Sequence, residues 1–132
     1  MADGETTRGE TAPTEEAAAG ALAYLTEMSP DLRGGAILGA DGAVLAASGD
    51  ADRWREDVAT LFAVADRASE QPVEQVHVGT EQGEVFAIRQ EGMAAAVVTD
   101  RFALASLLFF DMRSILRELA AGGDGVGGAD AA

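Results

Sequence analysis

A chain of 132 residues, 48% of them hydrophobic, is one domain's worth of sequence with enough apolar material for a core; having no cysteine, it can form no disulfide, thiolate metal site or cysteine nucleophile. All nine basic residues are arginine, and neither lysine nor asparagine occurs, which excludes Schiff-base catalysis, a P-loop lysine and N-glycosylation. The net charge of −14 is carried by the body of the chain as well as its ends, so the surface repels nucleic acid and anionic membrane and favours a basic patch on a partner.

Residues 1–12 are polar, charged and rich in Gly and Thr, and are expected to form a disordered acidic tail. Their polarity is unlike a signal peptide, and no stretch is apolar for long enough to span a bilayer, so a cytoplasmic location is expected. The folded domain is expected over 13–121, followed by a low-complexity tail rich in Gly, Ala and Asp over 122–132.

The spacing of Ala18, Ala21, Leu22, Leu25 and Met28 predicts a first helix over about 14–28, capped by Thr11 or Thr14 and stopped by Ser29-Pro30. Two short apolar runs, 36–40 and 43–48, flank Asp41-Gly42 and predict a hairpin with a two-residue turn. Adjacent apolar pairs (Ile37-Leu38 and Val44-Leu45) point to opposite faces of a strand, so the sheet should be covered on both sides. A second helix is predicted over 53–69, with Trp54, Val58, Leu61, Phe62, Ala65 and Ala68 on its buried face, Val64 off the middle of that stripe, and Asp50 or Asp52 as cap. Pro72 marks its stop.

Three further strands follow. Residues 73–80 put Val76 and Val78 on one face and Gln75 and His77 on the other, a half-exposed pattern that suits an edge. Residues 84–89 alternate Phe86 and Ile88 against Val85 and Ala87, and 93–99 are apolar throughout, as a central strand would be. Turns fall at Glu81-Gln82-Gly83 and Glu91-Gly92. The last helix is predicted over 102–121, with Leu104, Leu107, Leu108, Met112, Ile115, Leu116 and Leu119 as its stripe and Thr99 or Asp100 as cap. The resulting order, α-β-β-α-β-β-β-α, predicts an α+β fold: a single five-stranded, mostly antiparallel sheet with helices on both faces.

The residues offer little chemistry, and the chain reads as no enzyme. Gly123, Gly125 and Gly128 match the spacing of a dinucleotide fingerprint, but no strand precedes them and no helix follows. His77 is the sole histidine and sits mid-strand, without a serine on a nucleophile elbow. One histidine without cysteine makes no typical zinc site, and the paired acids Asp50/Asp52 and Glu56/Asp57 lack the spacing of a calcium loop. No catalytic residue, cofactor or metal is expected. Arg33, Arg53, Arg55 and Arg101 flank predicted elements, where exposed arginines commonly serve local ion pairs rather than an arginine finger.

Residues 33–48, Arg-Gly-Gly-Ala-Ile-Leu-Gly-Ala-Asp-Gly-Ala-Val-Leu-Ala-Ala-Ser, resemble the opening hairpin of the roadblock/dynein light chain family. The stretch from Glu91-Gly-Met through Val97-Val-Thr-Asp to Leu104 and Leu107-Leu108 is similar to that family's last strand and final helix, and the order of elements agrees along the folded region. The resemblance implies a profilin/roadblock-like fold and a non-enzymatic, dimeric protein. In such a dimer the second helix and third strand form the seam, which here would be Leu61, Val64, Ala68, Val76, His77 and Val78. It implies a Ras-like small GTPase as partner, activated or scaffolded, with Arg53, Arg55 and Asp57 as candidate contacts, and a histidine-kinase-like protein or another roadblock-system protein as context. The competing reading is a small-molecule sensor of profilin-like or PAS-like architecture. That would need an apolar pocket between sheet and helix with convergent polar groups, which the strand sequences do not supply.

Overall fold

In the computed structural model, residues 13–101 and 103–122 are described. The expected order of elements is observed: α1 Glu15–Met28, β1 Leu32–Leu38, β2 Val44–Ala47, α2 Ala51–Ser69, β3 Gln75–Gly79, β4 Glu84–Gln90, β5 Met93–Thr99 and α3 Ala105–Ala120. The strands make one open antiparallel sheet in the order β2-β1-β5-β4-β3. β5, apolar throughout, is central, and β3 is an edge, as their sequences predict. The two tails, Gly122 excepted, and the Gly123-x-Gly125-x-x-Gly128 motif lie outside the described residues.

The caps explain where the helices begin. Thr14 accepts a 2.9 Å hydrogen bond from the Ala17 N–H, and Glu15 and Glu16 occupy the first turn of α1, where the helix dipole favours anions. Asp50 accepts from the Asp52 and Arg53 N–H groups, which starts α2 two residues ahead of the predicted Arg53. The predicted start of α3 is corrected: it begins at Ala105 behind Leu104, with no side-chain cap. Thr99 cannot serve, because it is the last residue of β5, fully buried, and its hydroxyl donates to the Asp100 carbonyl.

The hairpins differ in the same physical way. At Glu91-Gly92 both residues have positive φ, 58° and 76°, and the turn is the tight two-residue form that the twist of paired strands favours. The Asp41-Gly42 turn is not. Only Gly42 enters the left-handed region, the Asp41 carboxylate accepts from the Ala43 N–H, and residues 39–43 all belong to the connection, with a register shift between Ile37 and Leu38. β1 also starts earlier than expected, at Leu32, because Gly34 and Gly35 pair with β5. A Cβ at Gly35 would lie 3.1 Å from Leu22 and from the Ala96 carbonyl, so glycine here lets α1 settle onto the sheet.

The two faces of the sheet are unequal. Toward α1 and α3 point Ile37, Phe86, Ile88 and Val97, which pack with Leu22, Leu25, Met112, Ile115 and Leu116. Toward α2 point Ala36, Leu38, Ala87 and Ala96, a shallow bed in which only Val58 and Phe62 of α2 are buried. Each large apolar side chain buried contributes about 1.5–3 kcal/mol, so most of the stability resides in the α1/α3 layer. The predicted buried face of α2 is corrected accordingly: Trp54, Leu61 and Ala65 are half-buried and Ala68 is exposed. In the other layer, Met28, Leu104 and Leu107 continue the predicted stripes but are exposed, while Phe109 takes a core position.

Candidate functional site

β3 hydrogen-bonds to β4 along one side, and its other side is the rim of the sheet. Its side chains divide by parity. Gln75 and His77 face the α1/α3 layer and are tied down. Arg113 of α3 donates to the Gln75 side-chain oxygen at 2.8 Å. The His77 ring stacks on Phe86 at 4.3 Å between centroids, meets Phe109 edge-on, and shares a 2.5 Å hydrogen bond between Nε2 and Glu84 Oε1. The second oxygen of Glu84 accepts from the Ala103 N–H, so one carboxylate joins the edge strand to the approach to α3.

Val76 and Val78 face α2. Val78 pairs across the sheet with Val85, and Val85 with Val98, giving a row of valines that runs to the open edge. α2 does not close over it. A groove of about 400 Å³ remains between the helix (Arg53, Trp54, Asp57, Val58, Leu61) and the sheet (Val85, Ala96, Val98). Leu61, Val64 and Ala68 follow Asp57 at spacings of three and four, so they lie on the flank of α2 that overhangs this groove. Val64 is 50% exposed and Val78 38% exposed. Five of the six seam residues expected from the sequence therefore lie on the α2 side of the sheet, Val64, Ala68 and Val78 exposed and Leu61 and Val76 half-buried. His77 is the exception, because its ring lies on the opposite face of β3.

Of the three candidate GTPase contacts, Arg53 and Asp57 share an ion pair at 3.4 Å and line this groove together. Arg55 pairs with Asp52 and lines a broader groove on the other flank of α2, beside the two hairpin turns. Arg33, also weighed as an exposed arginine, is held by Asp100 and by the carbonyls of Gln82 and Thr99. Arg101 is likewise engaged.

Sequence reasoning missed the cluster that fixes the α2–β3 connection. Arg89 lies 4.3 Å over the Phe62 ring, donates to the Val73 carbonyl through Nε and Nη2, and meets Asp66 Oδ1 at 2.6 Å. Asp66 also accepts from the Val73 N–H. The hydrogen bond from Arg89, with that from Val73, holds the Asp66 carboxyl below the usual carboxylate range. Within the broader groove Asp66 and Arg89 thus satisfy each other. Among the described residues no group of acidic or histidine side chains is arranged to hold a metal ion, and no helix is long and apolar enough to cross a membrane.

No family model and no curated protein matches the chain. Solved structures do. A roadblock/LC7 domain from Streptomyces avermitilis superposes with a TM-score of 0.62 at 23% identity, over 74% of this chain and 90% of that one. The gliding protein MglB from Thermus thermophilus superposes with a TM-score of 0.62 at 15% identity, over 81% and 84%. The chain has the roadblock fold. MglB in a tetrameric arrangement is similar as well, with a TM-score of 0.52 at 16% identity over 76% of this chain and 79% of that one. In this chain of roadblock fold, the residues expected at the seam, His77 excepted, lie beside the valine row and along the overhanging flank of α2.

Proposed function

We propose that the protein is a dimeric, non-enzymatic adaptor that binds and regulates a Ras-like small GTPase. The observation that carries the dimer is the open β3 edge beside an unroofed apolar row. A rim of free backbone N–H and C=O groups invites strand addition, and a second copy of β3 and α2 would cover Val64, Val76, Val78, Val85 and Val98 at once. The tetrameric arrangement of MglB supports self-association in this fold. The GTPase reading rests on the resemblance to roadblock proteins. The acidic surface suits a basic face on the partner, and Arg53 and Asp57 border the seam, where a GTPase could meet both subunits. With Arg33, Arg53 and Arg55 each engaged in a local ion pair, regulation would proceed by differential binding to the switch loops of the GTPase rather than by an inserted arginine.

The test is single-turnover GTP hydrolysis and nucleotide release by a Ras-like GTPase of the same genome, with and without this protein. A change in either rate, reduced by the charge reversal Asp57→Arg, supports the reading. No complex and no change in rate with any such GTPase would refute it.

A further inference from the structure

At the Thr99 end of the sheet, the end that also carries the β3–β4 turn, and on the face opposite α2, α1 stops and α3 starts side by side. Met28, Leu104 and Leu107 line a small cleft there together with Pro30 and Leu108. The first three are 55%, 66% and 53% exposed, although each continues an apolar stripe in the sequence. Helical spacing lengthens this patch by one turn on each helix: Tyr24 lies four residues before Met28, and Asp111 four after Leu107. Asp111 is partly buried and has no side-chain hydrogen bond or ion pair with a described residue. Loss of water around it raises its pKa above the ordinary carboxylate value. Around the patch the acids carry the unpaired charge, since Arg101, just ahead of α3, is itself engaged. α1 contains no basic residue, Glu27 and Asp31 have no ionic partner among the described residues, and the nearby Arg33 is already bound by Asp100.

We propose that this α1/α3 groove is a second docking surface, distinct from the seam, and that its occupant is a basic amphipathic helix of another protein. Apolar anchors at helical spacing would fill the cleft between Met28 and Leu107, and a lysine or arginine would reach Asp111. The charge pattern selects this occupant over the two others available. A second copy would set Glu27, Asp31 and Asp111 against the same acids. The chain's own ends, 1–12 and 123–132, hold only Met1 and Val126 as large apolar residues and carry Asp3, Glu5, Glu10, Asp124 and Asp130 against Arg8.

The probe is a fluorescent peptide with leucine and lysine in an amphipathic helical pattern, compared with its leucine/glutamate counterpart, by anisotropy at physiological salt. The leucine/lysine peptide should bind and the other should not. Leu107→Ser should weaken binding about tenfold, the order of effect expected for one lost apolar anchor. Asp111→Asn should weaken it several-fold while leaving the protein as stable as before or more so. Glu56→Gln on α2, and Val78→Arg at the seam, should leave binding unchanged, which separates this surface from the proposed dimer. Equal binding by wild type and Leu107→Ser means general attraction to an acidic protein and overturns the proposal. So does a fall in solution mass caused by Leu107→Ser, which would give the groove to a second copy, and so does absence of binding.

Discussion

Arg89 shows how a single side chain can fix a connection that carries no regular structure. Its guanidinium meets Asp66, the Val73 carbonyl and the face of Phe62, and so staples the segment after α2 to the sheet ahead of β3. None of this was legible in the sequence, since Asp66 and Arg89 stand 23 residues apart and no periodicity links them. Local signals were legible: Thr14 and Asp50 are caps with side-chain oxygens at hand, and Ser29-Pro30 is a stop. The pH dependence follows from the sign of the shift. Asp66 titrates lower in the folded state than its ordinary value of 3.8. Its stabilising effect is therefore fully present above that value and is lost as pH falls through the folded-state pKa. Asp66→Asn should lower the melting temperature at neutral pH, and the gap to wild type should narrow as the medium is acidified below the ordinary carboxylate range. A gap that stays constant down to strongly acid pH would show that the charge of Asp66 contributes nothing.

The elements were read correctly in order and type because each has a strong period, and misread where a period outlasts the burial that causes it. In α3 the stripe from Leu104 to Leu119 is continuous in sequence, yet burial begins only at Leu108. An apolar position waiting for a partner and one filled by the core have the same pattern, so sequence alone could not separate Leu107 from Leu116 or Met28 from Leu25. In α2 the alanine bed beneath the helix leaves its predicted stripe half-covered, a feature of the opposite strands rather than of α2 itself. The structure makes the distinction measurable. Leu116→Ala, which empties a fully buried site, should cost about 2–5 kcal/mol in urea denaturation, whereas Leu107→Ser should stay within about 0.5 kcal/mol of wild type. Similar losses from both would mean that the α3 N-terminal turn packs into the core.

Taken whole, the molecule is a sheet roofed well on one face and thinly on the other, ending in a rim on the thin side's valine row. The central place of β5 and the edge position of β3 were foreseeable from their apolar patterns; the full strand order was not, because β2 carries apolar residues on both faces and is nevertheless the other edge. The grooves on either side of α2 were not, because they depend on how far the helix overhangs. The dimer is the claim on which the adaptor reading stands, and solution mass tests it most directly. Val78 is 38% exposed in the single chain, so Val78→Arg should be tolerated by the monomer fold while placing an unpaired charge in the seam. Sedimentation equilibrium should give twice the 13.5 kDa chain mass for wild type and the single-chain mass for folded Val78→Arg. A wild-type protein that remains at 13.5 kDa at every concentration, or a Val78→Arg variant that keeps the doubled mass, would contradict the account.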